Sequence, residues 1–254
     1  MNAFDTLLAQ TISSPDLLGD AAANEERKEY DETNPVTLPV LRAALPAVSD
    51  RAVELIVAFE VTSETVYNRL YVHPVWPQGQ SGCTIGIGYD LGYVTSQRMS
   101  DDWRTAQLAP ADIAALTGVC GMKGTAAQHA LPNVKSVSVP FAAANAVFRN
   151  VTLQRTVAQT VAALPRAATL TPDCLGALVS LVYNRGASFA AQGDRYTEMR
   201  AIAADVANGN LKDIPTQFRS MKRLWSGQPN LQGLVRRREL EALLFEEGLG
   251  QPAG

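Results

Sequence analysis

The sequence predicts an α+β fold, mostly helical with a small antiparallel β lobe, on three observations. Apolar residues recur at helical spacing in several long segments, each opened by a capping residue or a proline. One short stretch, Cys83 to Gly92, joins strand formers to Gly86, Gly88 and Gly92, a pattern for a tightly turned sheet. With 254 residues, 46% hydrophobic and 19% charged, the chain is long and apolar enough to bury a full core.

The opening segment reads as an acidic N-terminal extension over 1–39, ahead of one catalytic-sized domain over 40–254. It carries small apolar groups at Leu7, Leu8 and Ile12 and at Leu17 and Leu18, then an acidic run from Asn24 to Glu32 and Pro35. Residues 1–36 hold eight acids and two bases, a net of −6, which leaves +3 for 37–254. A helical arm and a loose lead both fit this composition. No basic start followed by an apolar stretch and a small-residue cleavage site is present, and no run is long enough to span a bilayer. The expectation is synthesis in the cytoplasm without a standard signal peptide, no membrane insertion, and a monomer.

The next helix carries the first chemical signal. Ser49 and Asp50 supply starting oxygens, and Val53, Ile56, Val57 and Glu60 fall at i, i+3, i+4 and i+7, so Glu60 shares the apolar face. β-branched Val61 and Thr62 weaken the helix and put Glu60 in its last turn. There the negative helix end and burial would both raise its pKa, as a general acid requires. Ion-paired or snorkelling glutamates fit the same spacing. In the glycine stretch, Thr84, Ile85 and Ile87 are strand formers, and Gly82, Gly86, Gly88 and Gly92 permit sharp turns and close approach of a ligand. A dinucleotide fingerprint fails, because no glycine stands at position 91 and no strand, turn and helix unit follows.

Downstream, Pro110-Ala111-Asp112 opens a helix, and 118–138, rich in glycine and serine with Pro132, reads as a loop-rich connection. Pro140 opens a helix to about Leu164 with Phe141, Ala144, Val147, Phe148 and Val151 inward. Thr171 and Pro172 open another, with Leu175, Leu178, Val179 and Val182 as its stripe, Asn184 near its end and Gly186 closing it. In the final helix Arg237 lies three residues before Leu240 and seven before Leu244, so it faces inward better than Arg236 or Arg238.

Phe59-Glu60, then Tyr67, then Thr84-Ile85-Gly86-Ile87-Gly88-Tyr89, resembles the phage-type lysozymes, glycoside hydrolase family 24. Leu178 to Ala187 is similar to that family's central-helix motif, which ends in an asparagine or glutamine before glycine. Gly233 to Phe245 is similar to its arginine-rich C-terminal helix. The three segments occur in the family's order across residues 50 to 247. The aspartate that usually follows the glutamate by nine residues is Arg69 here, and the usual histidine of the glycine motif is Tyr89. In the pesticin-like bacteriocin branch the aspartate follows the threonine instead, and the matching residue is Asp90.

The resemblance implies a lysozyme-like fold and an inverting muramidase that cleaves the β-1,4 bond between N-acetylmuramic acid and N-acetylglucosamine. Glu60 would be the acid, Asp90 the second carboxylate with Glu64 in reserve one helical turn beyond Glu60, and Thr84 the hydroxyl that holds the water. Tyr89, Asn184 and Arg237 would bind substrate, with Arg237 also pairing with Glu60. Inversion requires carboxyl groups roughly 6.5–9.5 Å apart. The expected partners are bacterial peptidoglycan and a secretion carrier or immunity protein, and the site of action is the periplasm or cell wall after delivery or lysis. A lytic transglycosylase and a non-catalytic wall-binding protein remain open.

Cysteines and histidines point to no cofactor and no metal. Cys83, Cys120 and Cys174 are an odd set without a CxxC, and His73 and His129 lack ligand companions. Cys83 fits a small buried residue better than a nucleophile. His73-Pro74-Val75-Trp76-Pro77 reads as a turn at the tip of the β lobe. The arginine triplet lacks the wider basic stripe of a nucleic-acid binder.

Overall fold

The computed structural model describes residues 2–14 and 44–251. Leu17, Leu18, the acidic run and Pro35 lie outside the described residues. The chain forms two compact units: a split unit, Met1–Phe59 with Arg155–Gly254, and a contiguous unit, Glu60–Gln154. Both belong to a mostly helical α+β protein with one two-stranded antiparallel sheet among the described residues.

The split unit is helical. Helix α1 (Ala3–Ile12) is capped by Asn2, whose Oδ1 accepts from the Asp5 N–H at 2.8 Å. It buries Phe4 and Leu8 and packs on the last helix, so the start of the expected extension belongs to this unit. Helix α2 (Asp50–Val61) starts as predicted, with Ser49 Oγ accepting from Ala52 N–H at 3.2 Å. Arg51, in its first turn, ties four helices together. It bonds Asp5 at 3.3 Å, Asp173 at 2.7 Å and Glu247, and lies over the Phe4 ring at 4.7 Å.

Further along, α8 (Leu153–Ala163) leads to α9 (Pro172–Arg185), α10 (Thr197–Asn208), α11 (Ile214–Ser220) and α12 (Gln232–Leu249). Helix α9 is the centre, buried continuously from Asp173 to Arg185. Thr171 caps it by accepting from Cys174 N–H at 3.3 Å, and Gly186, at φ +70°, ends it. A Cβ on Gly176 would lie 2.3 Å from the Ala52 Cβ, so this glycine is what lets α9 meet α2 closely.

The contiguous unit begins with the last two residues of α2. The chain then reverses through Thr62, at φ +65°, with Ser63 N–H bonded to Val61 O at 2.7 Å. This is a γ-turn of the uncommon, positive-φ kind, and a β-branched residue holds it at a cost in strain. Helix α3 (Glu64–Leu70) follows, capped by Ser63 and buried at Tyr67, whose hydroxyl donates to Val139 O at 2.8 Å. Glu64 therefore opens a new helix and does not extend α2 by a turn, a correction to the spacing argument.

Strands β1 (Thr84–Ile85) and β2 (Tyr89–Asp90) pair antiparallel across Gly86-Ile87-Gly88, with Val75 bridged to the outer edge of Thr84. Helices α4 (Ser96–Thr105), α5 (Pro110–Thr117), α6 (Gly124–Val134) and α7 (Phe141–Val147) complete the unit. The loop expected over 118–138 is thus corrected: 11 residues of it are helix α6, which buries Ala127, Ala130 and Val134 at helical spacing and tolerates Pro132 in its last turns. The helix from Pro140 runs on to Ala163 as expected, but with a π-helical turn over Phe148–Thr152. Among the described residues no helix is long and apolar enough to cross a membrane.

Candidate functional site

The hairpin of the contiguous unit is built around one carboxylate. Gly86 and Gly88 have φ of +59° and +68° and turn the chain in three residues, while a Cβ on Gly86 would also strike Trp103 at 2.8 Å. Gly82 and Gly92 do something else. A Cβ on Gly82 would lie 2.2 Å from the Gly92 nitrogen and 2.5 Å from Asp90 Oδ1. Their bareness admits each other and Asp90, whereas the sequence suggested room for a ligand. Asp90 Oδ1 accepts from Gly82 N–H at 2.9 Å and Gly92 N–H at 2.8 Å, and it caps the short 3-10 turn Leu91–Tyr93. Asp90 is 8% exposed. Two convergent donors fix its orientation.

Thr84 and Asp90 are register partners. Directly opposed residues of an antiparallel pair share a face, with Cβ atoms about 4.5–5.5 Å apart. The hairpin thus brings the expected hydroxyl and carboxylate together. Thr84 is half-buried, and its hydroxyl has a long 3.5 Å contact to Gly82 O. Ile85 and Tyr89 take the other face. Tyr89 is buried, donates its hydroxyl to Asp102 Oδ2 at 2.7 Å and sets its ring edge-on to Trp103 at 5.5 Å. Those contacts are a packing residue's. Glu60 is half-buried in the last turn of α2, where the spacing placed it.

Around the hairpin, His73 is exposed with Nδ1 2.8 Å from Val137 O, and Trp76 donates to Ser81 O at 3.0 Å. Cys83 is buried with its thiol on Ala127 O, as a small core residue is. Burial, reinforced by Asp90, pushes its thiol pKa up. Among the described residues no cluster of potential ligands could hold a metal ion.

Asn184 and Arg237 lie in the split unit, in a buried polar network between α9 and α12. Arg237 turns inward as its spacing predicts, and Arg238 is buried as well. Arg238 Nη2 donates to Asn184 Oδ1 at 3.1 Å and to Glu241 Oε1 at 2.8 Å. Arg237 donates from Nε to Ser180 Oγ at 3.3 Å and from Nη2 to Ser180 O at 3.2 Å. Ser180 in turn donates to Glu241 at 2.7 Å. The guanidinium carbons of Arg185 and Arg238 lie 5.3 Å and 5.8 Å from the Trp225 ring centroid. Complete burial pushes the Glu241 carboxyl upward against the opposing pull of Arg238 and Arg237.

Sequence reasoning missed Arg238, Glu241 and Ser180. One signal was available: Arg238, Glu241 and Phe245 repeat at i, i+3 and i+7, a second inward stripe on a helix that packs against α9, α11 and α1 at once. A family model described as a domain of unknown function (DUF8812) matches residues 58–170, which includes Glu60, Thr84, Tyr89 and Asp90 and stops short of Asn184 and Arg237. No curated protein matches the chain.

Proposed function

We propose that this protein is a peptidoglycan hydrolase of lysozyme-like fold, an N-acetylmuramidase that cleaves the β-1,4 bond between N-acetylmuramic acid and N-acetylglucosamine. The observation that carries the reading is the hairpin, which puts the Thr84 hydroxyl and the Asp90 carboxylate on one face of a unit that opens with Glu60. Glycoside cleavage needs a carboxylic acid to protonate the leaving oxygen and a carboxylate to stabilise positive charge or activate water. Glu60 is assigned the first task and Asp90 the second, with Thr84 orienting the water. The sequence resemblance supports the same assignments of Glu60, Asp90 and Thr84; Asn184 and Arg237, which it would also set against substrate, are each 1% exposed and bonded within their own unit. The wall of a bacterial cell is the expected place of action, reached by lysis or by a secretion carrier, with an immunity protein as a further partner.

A second reading comes from the two N–H bonds on Asp90 Oδ1. If that carboxylate serves only to hold the hairpin, a single acid remains and the chemistry is that of a lytic transglycosylase. Digestion of purified peptidoglycan by wild type, Glu60→Gln and Asp90→Asn, read by mass spectrometry, tests both. Reducing-end products lost in both variants support the muramidase. Products ending in 1,6-anhydro sugars support the transglycosylase, and absence of products from wild type overturns the enzymatic reading.

A further inference from the structure

We propose that Glu241 is a positioning residue for the helix end that bears Glu60, acting through Arg237 and Phe59. The proposal rests on the muramidase reading for its catalytic consequence, but its structural part stands apart from it. Arg237 lies with its guanidinium carbon 5.4 Å from the Phe59 ring centroid, and Phe59 is the residue immediately before Glu60 in the last turn of α2. Phe59, Arg237 and Glu241 are all buried, at 4%, 1% and 0% exposure.

A guanidinium over an aromatic face is held there by orientation as well as charge, and Arg237 has few degrees of freedom left. Its Nε stands 3.4 Å from Glu241 Oε1 and bonds Ser180 Oγ, and that hydroxyl bonds the same Glu241 oxygen. Glu241 also draws in Arg238 at 2.8 Å. One carboxylate oxygen therefore sets the plane and depth of Arg237, and Arg237 presses on the ring that anchors the turn of Glu60. Without the negative charge, two neighbouring guanidinium groups repel each other in a dry interior, and Arg237 slides off the ring. Glu241 itself does not touch the reacting atoms in this scheme.

The test compares Glu241→Gln, close in shape but uncharged, with Ser180→Ala, which removes a neighbouring bond and leaves the ion pair in place. Amide hydrogen exchange is followed in the intact folded proteins, and kcat and KM are measured on purified peptidoglycan well below each unfolding midpoint. In Glu241→Gln, exchange at amides 58–61 should rise about tenfold while amides 53–56 of the same helix stay unchanged. The kcat should fall about 10- to 100-fold with KM little altered, because a displaced acid loses turnover before it loses binding. Ser180→Ala should lose stability without either change.

If Glu241→Gln fails to fold, Arg237→Lys, which keeps the charge and loses the planar group, should give the same local exchange. Unchanged exchange at 58–61 overturns the proposal, as does a kcat loss that Ser180→Ala shares. Exchange at 58–61 that rises as described in Glu241→Gln, together with a wild type that cleaves no peptidoglycan, sinks the muramidase reading and leaves the positioning role intact.

Discussion

Replacing Asp90 by asparagine separates the two duties open to its carboxylate. Oδ1 holds Gly82 N–H at 2.9 Å and Gly92 N–H at 2.8 Å in a buried setting. An amide oxygen in the same place keeps both bonds and loses the charge. Hydrogen bonds to charged groups contribute about 1.5–3 kcal/mol against about 1 kcal/mol for neutral ones, so Asp90→Asn should cost about 2 kcal/mol. In a chain of this size that lowers the melting temperature by about 4–8 °C. Asp90→Ala leaves both N–H groups without an acceptor, and the loss should reach about 4 kcal/mol. Urea and thermal unfolding measure these differences, and muropeptide release at 25 °C, where Asp90→Asn stays folded, measures turnover. A carboxylate that activates water should take about 10²–10⁴-fold of the rate with it. Turnover within tenfold of wild type refutes the catalytic assignment. A stability loss under about 0.5 kcal/mol in Asp90→Ala refutes the hairpin clamp.

Thiol chemistry offers a second check, since burial pushes Cys174 up to about 11, against the Thr171 hydrogen bond and with help from Asp173. Cys83 is raised by burial too, and Cys120 is the partly exposed thiol of the three. A disulfide reagent at pH 8 should modify Cys120 first and the others only after urea; fast reaction at all three would contradict the packing described. Glu239 predicts a pH dependence. Burial alone would raise its carboxyl, but hydrogen bonds and charge from Lys222 and Arg219 outweigh it and hold the group below the usual range. Its stabilisation is therefore full above the unfolded value of about 4.3 and is lost as pH falls through the lower folded value. Glu239→Gln should cost about 0.5–1 kcal/mol near pH 7 and progressively less as pH falls below about 4, measured by urea unfolding.

Much of this architecture is legible in local chemistry. Thr171, Pro172 and Gly186 delimit α9 because caps act within a turn, and Ser49 fixes the start of α2, with Val53, Ile56 and Glu60 following at helical spacing. The hairpin is equally local, since Gly86 and Gly88 decide its turn. What local reasoning misjudged depends on distant neighbours. Helix α6 exists because Ala127, Ala130 and Val134 find a core, which outweighs Gly124 and Pro132. Gly82 and Gly92 looked like room for a ligand, and only their mutual approach shows that they serve Asp90. Arg238 and Glu241 look like a solvated face until α12 is seen to be covered on more than one side. Helix α1 joins its unit through Arg51, whose partners Asp5, Asp173 and Glu247 come from three separate parts of the chain.

That last junction has a consequence for biogenesis. Phe4 N–H is bonded to Glu247, 243 positions later, so the split unit cannot close its core until the final helix has left the ribosome. Residues 60–154 form a continuous stretch and can condense while synthesis continues. The growing polypeptide thus carries a finished insert inside an unfinished host, and a chain cut short before α12 lacks both the wedge that seats its beginning and the guanidinium beneath Phe59.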